Sequence, residues 1–273
     1  VDGGYTQEDV VNVARILTGW SIDQPQRGTG FAFHDWAHDR GEKTVLGTTF
    51  PAGQGMSEGV ELLEMLARHP STMRHVGSKL CARFVNDDPP SGCVDAAVHA
   101  WEASGGEIRE VLRAIFASPE FWAAENRAAK TKTPLEFVAS AVRAVGAVPD
   151  TTLALAQLVA RLGQPLYLQE PPTGYPETQE PWVNSGALLQ RVNTAMAIAA
   201  GRAPGLTIDL DLVLPAGDDP EALVSAVNRI VLNGGGSPAT LKVIRDQVSG
   251  VGGREARVLA VGLALGSPEF QRQ

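Results

Sequence analysis

The stretch FHDWAHDRGEK, residues 33–43, sets two His-Asp dipeptides four residues apart. Imidazole titrates near neutral pH and a carboxylate beside it can orient the ring, so either pair has the parts for acid–base chemistry. On a helix, His34 and His38 would also share a face and could grip a metal ion. The surroundings weigh against the metal. Gly41 and the alternation of Phe31, Ala32 and Phe33 favour strand and turn, HExxH is absent, and no group of Cys and His has zinc-like spacing. Residue types alone do not choose between the two pairs for catalysis; His38 with Asp39 has Lys43 close by, a cation that could hold an anionic substrate. A structural reading stands beside this one: Asp39 closes the turn through its own backbone while His38 hydrogen-bonds a helix end.

Two further groups could bind a substrate. In RAAKTKTPLEF, Arg127, Lys130 and Lys132 crowd the lead-in to a helix starting near Pro134, with Glu136 in its first turn. In an acidic chain such a knot can grip phosphate, sulfate or carboxylate, or it can form ion pairs between helices. The second group lies in GQPLYLQEPPTGYPETQEPWV, residues 163–183, whose five prolines forbid a helix. A loop of that length inside a compact domain is often functional. Tyr175 and Trp182 could wall a sugar ring or another planar ligand, with Asn184 and Arg191 supplying directional hydrogen bonds. The alternative makes Trp182 a plug and Asn184 the cap of the following helix.

These residues must be positioned mainly by helices. Thr6 and Asp9 have the spacing of a capping box before a helical run of Val10, Val13, Ala14 and Leu17. Ser57 can open a helix with Val60, Leu63 and Ala67 on one face, and a helix capped near Ser71 must stop before Pro89 and Pro90. Further helices are predicted near 92–103, 106–117, 134–145, 151–162, 185–200, 220–232, 238–248 and 254–265. Pro220 and Pro238 stand at favoured first positions. Only 31–50 reads as β, with FAF and TVLGTTF joined through HDRGEK. The expected fold is mainly α: a multi-helix domain with one small hairpin and a long Pro-rich loop. Residues 1–200 would form its core and 201–273 a helical extension packed on it.

Composition narrows the function classes. A net charge of -8 lacks the basic footprint of a nucleic-acid binder. No apolar run is long enough to cross a bilayer. The two cysteines, Cys81 and Cys93, flank a Pro/Gly turn between two helices, which leaves both a disulfide and two buried thiols open. A disulfide would favour an oxidising compartment. The start at Val1 is expected to reflect an excised or processed fragment.

Seven strings in order carry a resemblance: YTQEDVVNVARILTGWS, HDRGEKTVLG, HPSTMRHVGSKLCARFVNDDPP, GEIREVLRAIFASPEF, KTKTPLEFVASAVRAVG, LGQPLY and GYP followed by WVNSGALLQRVN. Over about residues 5–200 the chain resembles the bacterial family of domain of unknown function 1800. His38, Asp39, Lys43 and Gly47 fit the family pattern, whereas His34 and Asp35 fall at positions that vary, and the two cysteines are not part of it. The resemblance implies a longer protein, of which this chain is the C-terminal portion, and export to the periplasm or beyond. Members are often encoded beside a second uncharacterised family that looks sulfatase-like. No activity or cofactor comes with the name. Two functions from different classes remain. One is an exported enzyme acting on an anionic or carbohydrate-like substrate through His38 and Asp39. The other is a non-enzymatic binding or assembly subunit that pairs with a missing N-terminal half or another chain.

Overall fold

Thr6 opens the first helix as its spacing predicts. Its hydroxyl accepts from Asp9 N, and the Asp9 carboxylate reaches back to Thr6 N, which starts α1 (Gln7–Ile16). The structure, a computed structural model, describes residues 3–24, 26–217 and 219–273. The chain divides into two compact units, Val1–Phe84 with Pro89–Trp122, and Val85–Asp88 with Ala123–Gln273. Residue 200, where a boundary was expected, lies inside the second unit.

In the first unit α1 is followed by β1 (Trp20–Ile22) and β2 (Phe31–Phe33), paired antiparallel, then by β3 (Lys43–Val45) and β4 (Thr48–Phe50), also antiparallel. FAF therefore does not pair with TVLGTTF. Leu46 and Gly47 both adopt positive φ, 49° and 77°, and close β3 directly onto β4. A two-residue turn of this kind matches strand twist and closes the shortest loop, which leaves FAF to pair with the strand before it. Residues 34–42 link two hairpins, with one 3₁₀ turn at Asp35–Ala37.

Helix α2 (Met56–Ala67) buries Glu58, Gly59 and Leu62 and turns Val60 and Leu63 to solvent. Leu62 joins Ile16, Val45 and Phe50 in a small core. Helices α3 (Pro70–Phe84), α4 (Ser91–Ser104), α5 (Ile108–Ala117) and the short α6 (Pro119–Trp122) complete the unit. Cys81 on α3 and Cys93 on α4, both fully buried, form a disulfide. Closing so short a loop is worth about 3 kcal/mol by restriction of the unfolded chain.

The second unit contains α7 (Pro134–Ala144), β5 (Val148–Pro149), α8 (Ala154–Arg161), α9 (Ser185–Ala199), β6 (Leu206–Thr207), α10 (Pro220–Ile230), α11 (Pro238–Val248) and α12 (Gly253–Gly266), with β5 and β6 antiparallel. Asp219 and Ser237 cap α10 and α11, each followed by proline at the first helical position. The core gathers Phe137, Ile198, Leu223, Ile244 and Leu265 from α7, α9, α10, α11 and α12. At Gly262 a Cβ would come 2.3 Å from Met196 Sδ, so the absence of a side chain there lets α9 and α12 approach closely. The last residues return to the start of α7: Lys132 N donates to Gln271 O, and Lys130 and Gln273 exchange backbone hydrogen bonds. The fold is mainly α with small two-stranded hairpins. Among the described residues no helix is long and apolar enough to cross a membrane.

Gly59 offers a direct check of the first unit. A Cβ at this position would lie 2.3 Å from Cζ2 of Trp20, whose ring also stacks edge-on against Phe31. We expect Gly59→Ala to lower stability by about 1–3 kcal/mol in urea titrations. A loss below about 0.5 kcal/mol would show that the indole yields freely.

Candidate functional site

The opening motif folds into a buried charge cluster of the first unit. Alternation along β3 turns Lys43 inward with Val45, and the first turn of α2 delivers Glu58. Lys43 Nζ donates to Glu58 Oε2 at 2.7 Å and to the Asp39 carbonyl, and both side chains are wholly buried. His38 Nδ1 sits 2.9 Å from the Thr18 carbonyl just beyond α1, so that nitrogen carries the hydrogen. Nε2 then faces Glu58 Oε1 at 3.6 Å, and neither atom has a hydrogen-bond partner. A neutral ring would oppose two lone pairs there, whereas a proton on Nε2 would turn the contact into an ion pair.

Asp39 is held by Arg15 Nε at 2.8 Å and Nη2 at 3.3 Å, and it accepts from Gly41 N across its own turn. The hydrogen bond from Arg15, then that from Gly41, depresses its carboxyl to about 2. Arg15 Nη1 continues to Asn12, whose amide reaches the Thr44 carbonyl. Thr18 Oγ1 donates to the Arg15 carbonyl and accepts from Asp39 N. One polar chain thus joins α1, the 34–42 link, β3 and α2. The ring of His34 lies against Trp36 and takes no part. His38 and Glu58 expose no side-chain surface. Folded this way, the cluster fastens elements and presents only the edge of Arg15 and Asp39 to solvent. Among the described residues no three His, Cys, Asp or Glu side chains converge as metal ligands.

Sequence reasoning missed Glu58. The signal was its place four residues before Leu62 and eight before Leu66, on the face that α2 buries.

The other candidates lie in the second unit. Lys130 pairs with Asp87 and donates to the Glu177 carbonyl, and Asp87 also accepts from Gln179 N. Tyr175 Oη donates to the Pro165 carbonyl and Trp182 Nε1 to the Pro176 carbonyl, with the two rings 5.9 Å apart. Trp182 is buried, and Asn184 accepts from Ala187 N as the cap of α9. These groups hold the Pro-rich loop to its own unit. Arg127 is exposed.

Lys132 and Arg191 are brought together. Thr133 and Glu136 form the capping box of α7, which fixes Lys132 just ahead of the helix. Lys132 Nζ lies 3.9 Å from the centroid of the Phe270 ring, Phe270 packs edge-on against Phe137 at 6.0 Å, and Arg191 lies 5.5 Å over Phe137. Two cations therefore stand at the ends of a pair of aromatic rings. Arg191 is 1% exposed; Nη1 donates to Gln271 Oε1 at 3.0 Å and Nη2 has no hydrogen-bond partner. Burial pushes the Lys132 amine down to about 8; nearby Glu136 opposes this and Arg191 adds to it. Burial likewise lowers Arg191, with Glu136 opposing. Lys132 opens onto a cleft of about 620 Å³ that is also lined by Ser140, Arg143, Asn233, Glu269 and Arg272. Glu136 accepts from Thr133 N, and Glu269 accepts from Ser237 N and Thr240 Oγ1. Both carboxylates of the cleft thus serve helix starts, and Glu136 also offsets part of the charge on Lys132 and Arg191.

Fold and site together define a disulfide-bearing, mainly helical protein of two units, each with buried cations at its polar centre. The chain belongs to the family described as Protein of unknown function (DUF1800), whose model matches residues 1–272. No curated protein and no solved structure matches it.

The two clusters predict different mutational signs. Removing one partner of the Lys43–Glu58 pair strands the other charge, so Glu58→Leu or Lys43→Met should cost about 3–5 kcal/mol, and the double replacement Lys43→Met with Glu58→Leu should recover much of it. Denaturant unfolding of the three variants checks this, and full additivity would refute the pairing. Lys132→Met should instead stabilise by about 1 kcal/mol at pH 7, the gain being reduced by the lost ring contact. With its folded value near 8, below that of an unfolded lysine, Lys132 binds fewer protons when folded between the two values. Its burial cost is complete below pH 8, and stability rises as pH climbs through that window. Lys132→Met should flatten the rise, as urea midpoints measured across the window would show.

Proposed function

We propose that this is an exported protein that binds a small anionic ligand in the cleft of its second unit. The observation that carries the reading is the surplus of cations there. Lys132 and Arg191 are buried, Arg143 and Arg272 line or flank the same opening without ion pairs, and the two carboxylates present are taken up by helix starts. A buried cation whose charge is only partly offset is costly, and an anion that enters the cleft lowers that cost. Carboxylate, phosphate and sulfate all suit ammonium and guanidinium donors. Export is supported by the buried Cys81–Cys93 disulfide, a linkage that persists in oxidising compartments. The reading places ligand recognition at Lys132, and leaves His38 and Asp39 as the fastening of the first unit.

Isothermal titration with succinate, inorganic phosphate and sulfate tests the proposal. At least one should bind, with affinity falling as salt rises. Lys132→Met should weaken that binding by about tenfold or more, the worth of one charge-assisted hydrogen bond, and Arg143→Gln with Arg272→Gln should add to the loss. Binding unaffected by all three substitutions, or none at millimolar anion, would overturn the reading.

A further inference from the structure

The chain has five lysines, and four have an ordinary fate. Lys43 pairs with Glu58, Lys130 with Asp87 and Lys242 with Asp246, while Lys79 is exposed. Among the described residues Lys132 is the one buried lysine, 9% exposed, whose amine has no ion pair or hydrogen bond, its charge being favoured only through space by Glu136. The groups facing it are Glu136 on α7, Arg191 on α9, the ring of Phe270, and Arg143, Glu269 and Arg272 across the cleft. Phe270 covers one side of the amine at 3.9 Å, and Lys132 is among the residues that line the cleft. A lysine that is desolvated and set next to another cation is the recognised arrangement for an amine nucleophile.

We propose that Lys132 is a covalent site, whose amine condenses with the carbonyl group of a small anionic aldehyde or keto acid held in this cleft. The inference rests on the anionic-ligand reading above and adds the reaction. The Nζ lone pair attacks the carbonyl carbon, a C–N bond forms, and the C=O π electrons move to oxygen, which takes the proton released by nitrogen. The carbinolamine then loses water to give the imine, and addition of water returns the free amine and carbonyl compound. No oxidant or reductant is consumed. Arg143 and Arg272 are placed to hold the anionic group, and the buried Arg191 disfavours a second positive charge at Lys132 before the carbonyl arrives. The depressed value of the amine, near 8, leaves a useful fraction uncharged at neutral pH.

The test incubates the intact chain with glyoxylate or with acetaldehyde in the presence of cyanoborohydride, which reduces any imine to a stable amine, and locates adducts by peptide mass spectrometry. Lys132 should be labelled by glyoxylate at least about tenfold faster than Lys79. Its rate should climb with pH and level off near 8, where an ordinary exposed lysine continues to climb. Lys132→Arg should abolish the fast label while leaving the slow labelling of Lys79 and the urea midpoint near those of the parent chain, which separates loss of the nucleophile from misfolding. Labelling of Lys132 no faster than Lys79, with succinate still bound, would overturn the covalent site and leave the anionic reading intact. Equal labelling of Lys132 by acetaldehyde and glyoxylate, unprotected by succinate, would support the covalent site and overturn the anionic reading.

Discussion

A charge removed from water must find a counter-charge or lose its proton, and the two units of this protein meet that constraint in opposite ways. In the first, Lys43 enters the interior with Glu58 at 2.7 Å, and Arg15 pairs with Asp39 at 2.8 Å at the part-exposed edge of the same cluster. The pairs share a chain of hydrogen bonds, so α1, two hairpins and α2 are positioned by the same electrostatic requirement. The core beneath them contains four buried side chains, Ile16, Val45, Phe50 and Leu62. Apolar burial of that extent specifies direction weakly, and the ionic contacts supply the register that it lacks. In the second unit the core is large and apolar and needs no such help. There Lys132 and Arg191 are offset only in part by Glu136, and the remaining cost is one that the core bears.

The helices were legible because periodicity, caps and prolines agree. Thr6 with Asp9, Thr133 with Glu136, Asp219 with Pro220 and Ser237 with Pro238 each mark a start that the backbone adopts. Strand pairing was less legible. FAF and TVLGTTF both have β character, but their partners are decided by which turn closes first, and Leu46-Gly47 carries no Asn-Gly or Asp-Gly signal. The inward face of α2 was harder still. Its pattern offers Val60 and Leu63, yet Glu58 and Gly59 go inside because Lys43 needs a carboxylate and Trp20 needs room. Hydrophobic periodicity is blind to a buried ion pair and to a glycine chosen for the ring above it.

The candidate sites show the same limit. His38, Asp39 and Lys43 do meet, as their spacing suggests, but the sequence does not reveal that the meeting place is closed. Tyr175, Trp182 and Asn184 have residue types common to ligand sites and equally common to loop anchors, and their hydrogen bonds run to Pro165, Pro176 and Ala187 within the same segment. Lys132 and Arg191 lie 59 positions apart and are joined through Phe270 and Phe137, so only the folded chain displays them as a pair.

Lys132 and Arg191 are not equivalent members of that pair. A guanidinium stays charged in proteins even when buried, so Arg191 acts as a fixed positive potential, tethered by Gln271 Oε1. An ammonium can relieve its burial by releasing a proton, and burial drives Lys132 that way, with Arg191 adding to it while Glu136 and the Phe270 ring favour the charged form. The positive potential of Arg191 adds to that discharge and also attracts an anion toward the cleft. Burial is thus the main source of the proposed activation, and Arg191 adds to both activation and recognition from outside the cleft lining. Replacing Arg191 by lysine would preserve formal charge yet let either residue give up the proton, which would remove the distinction on which the proposed chemistry depends.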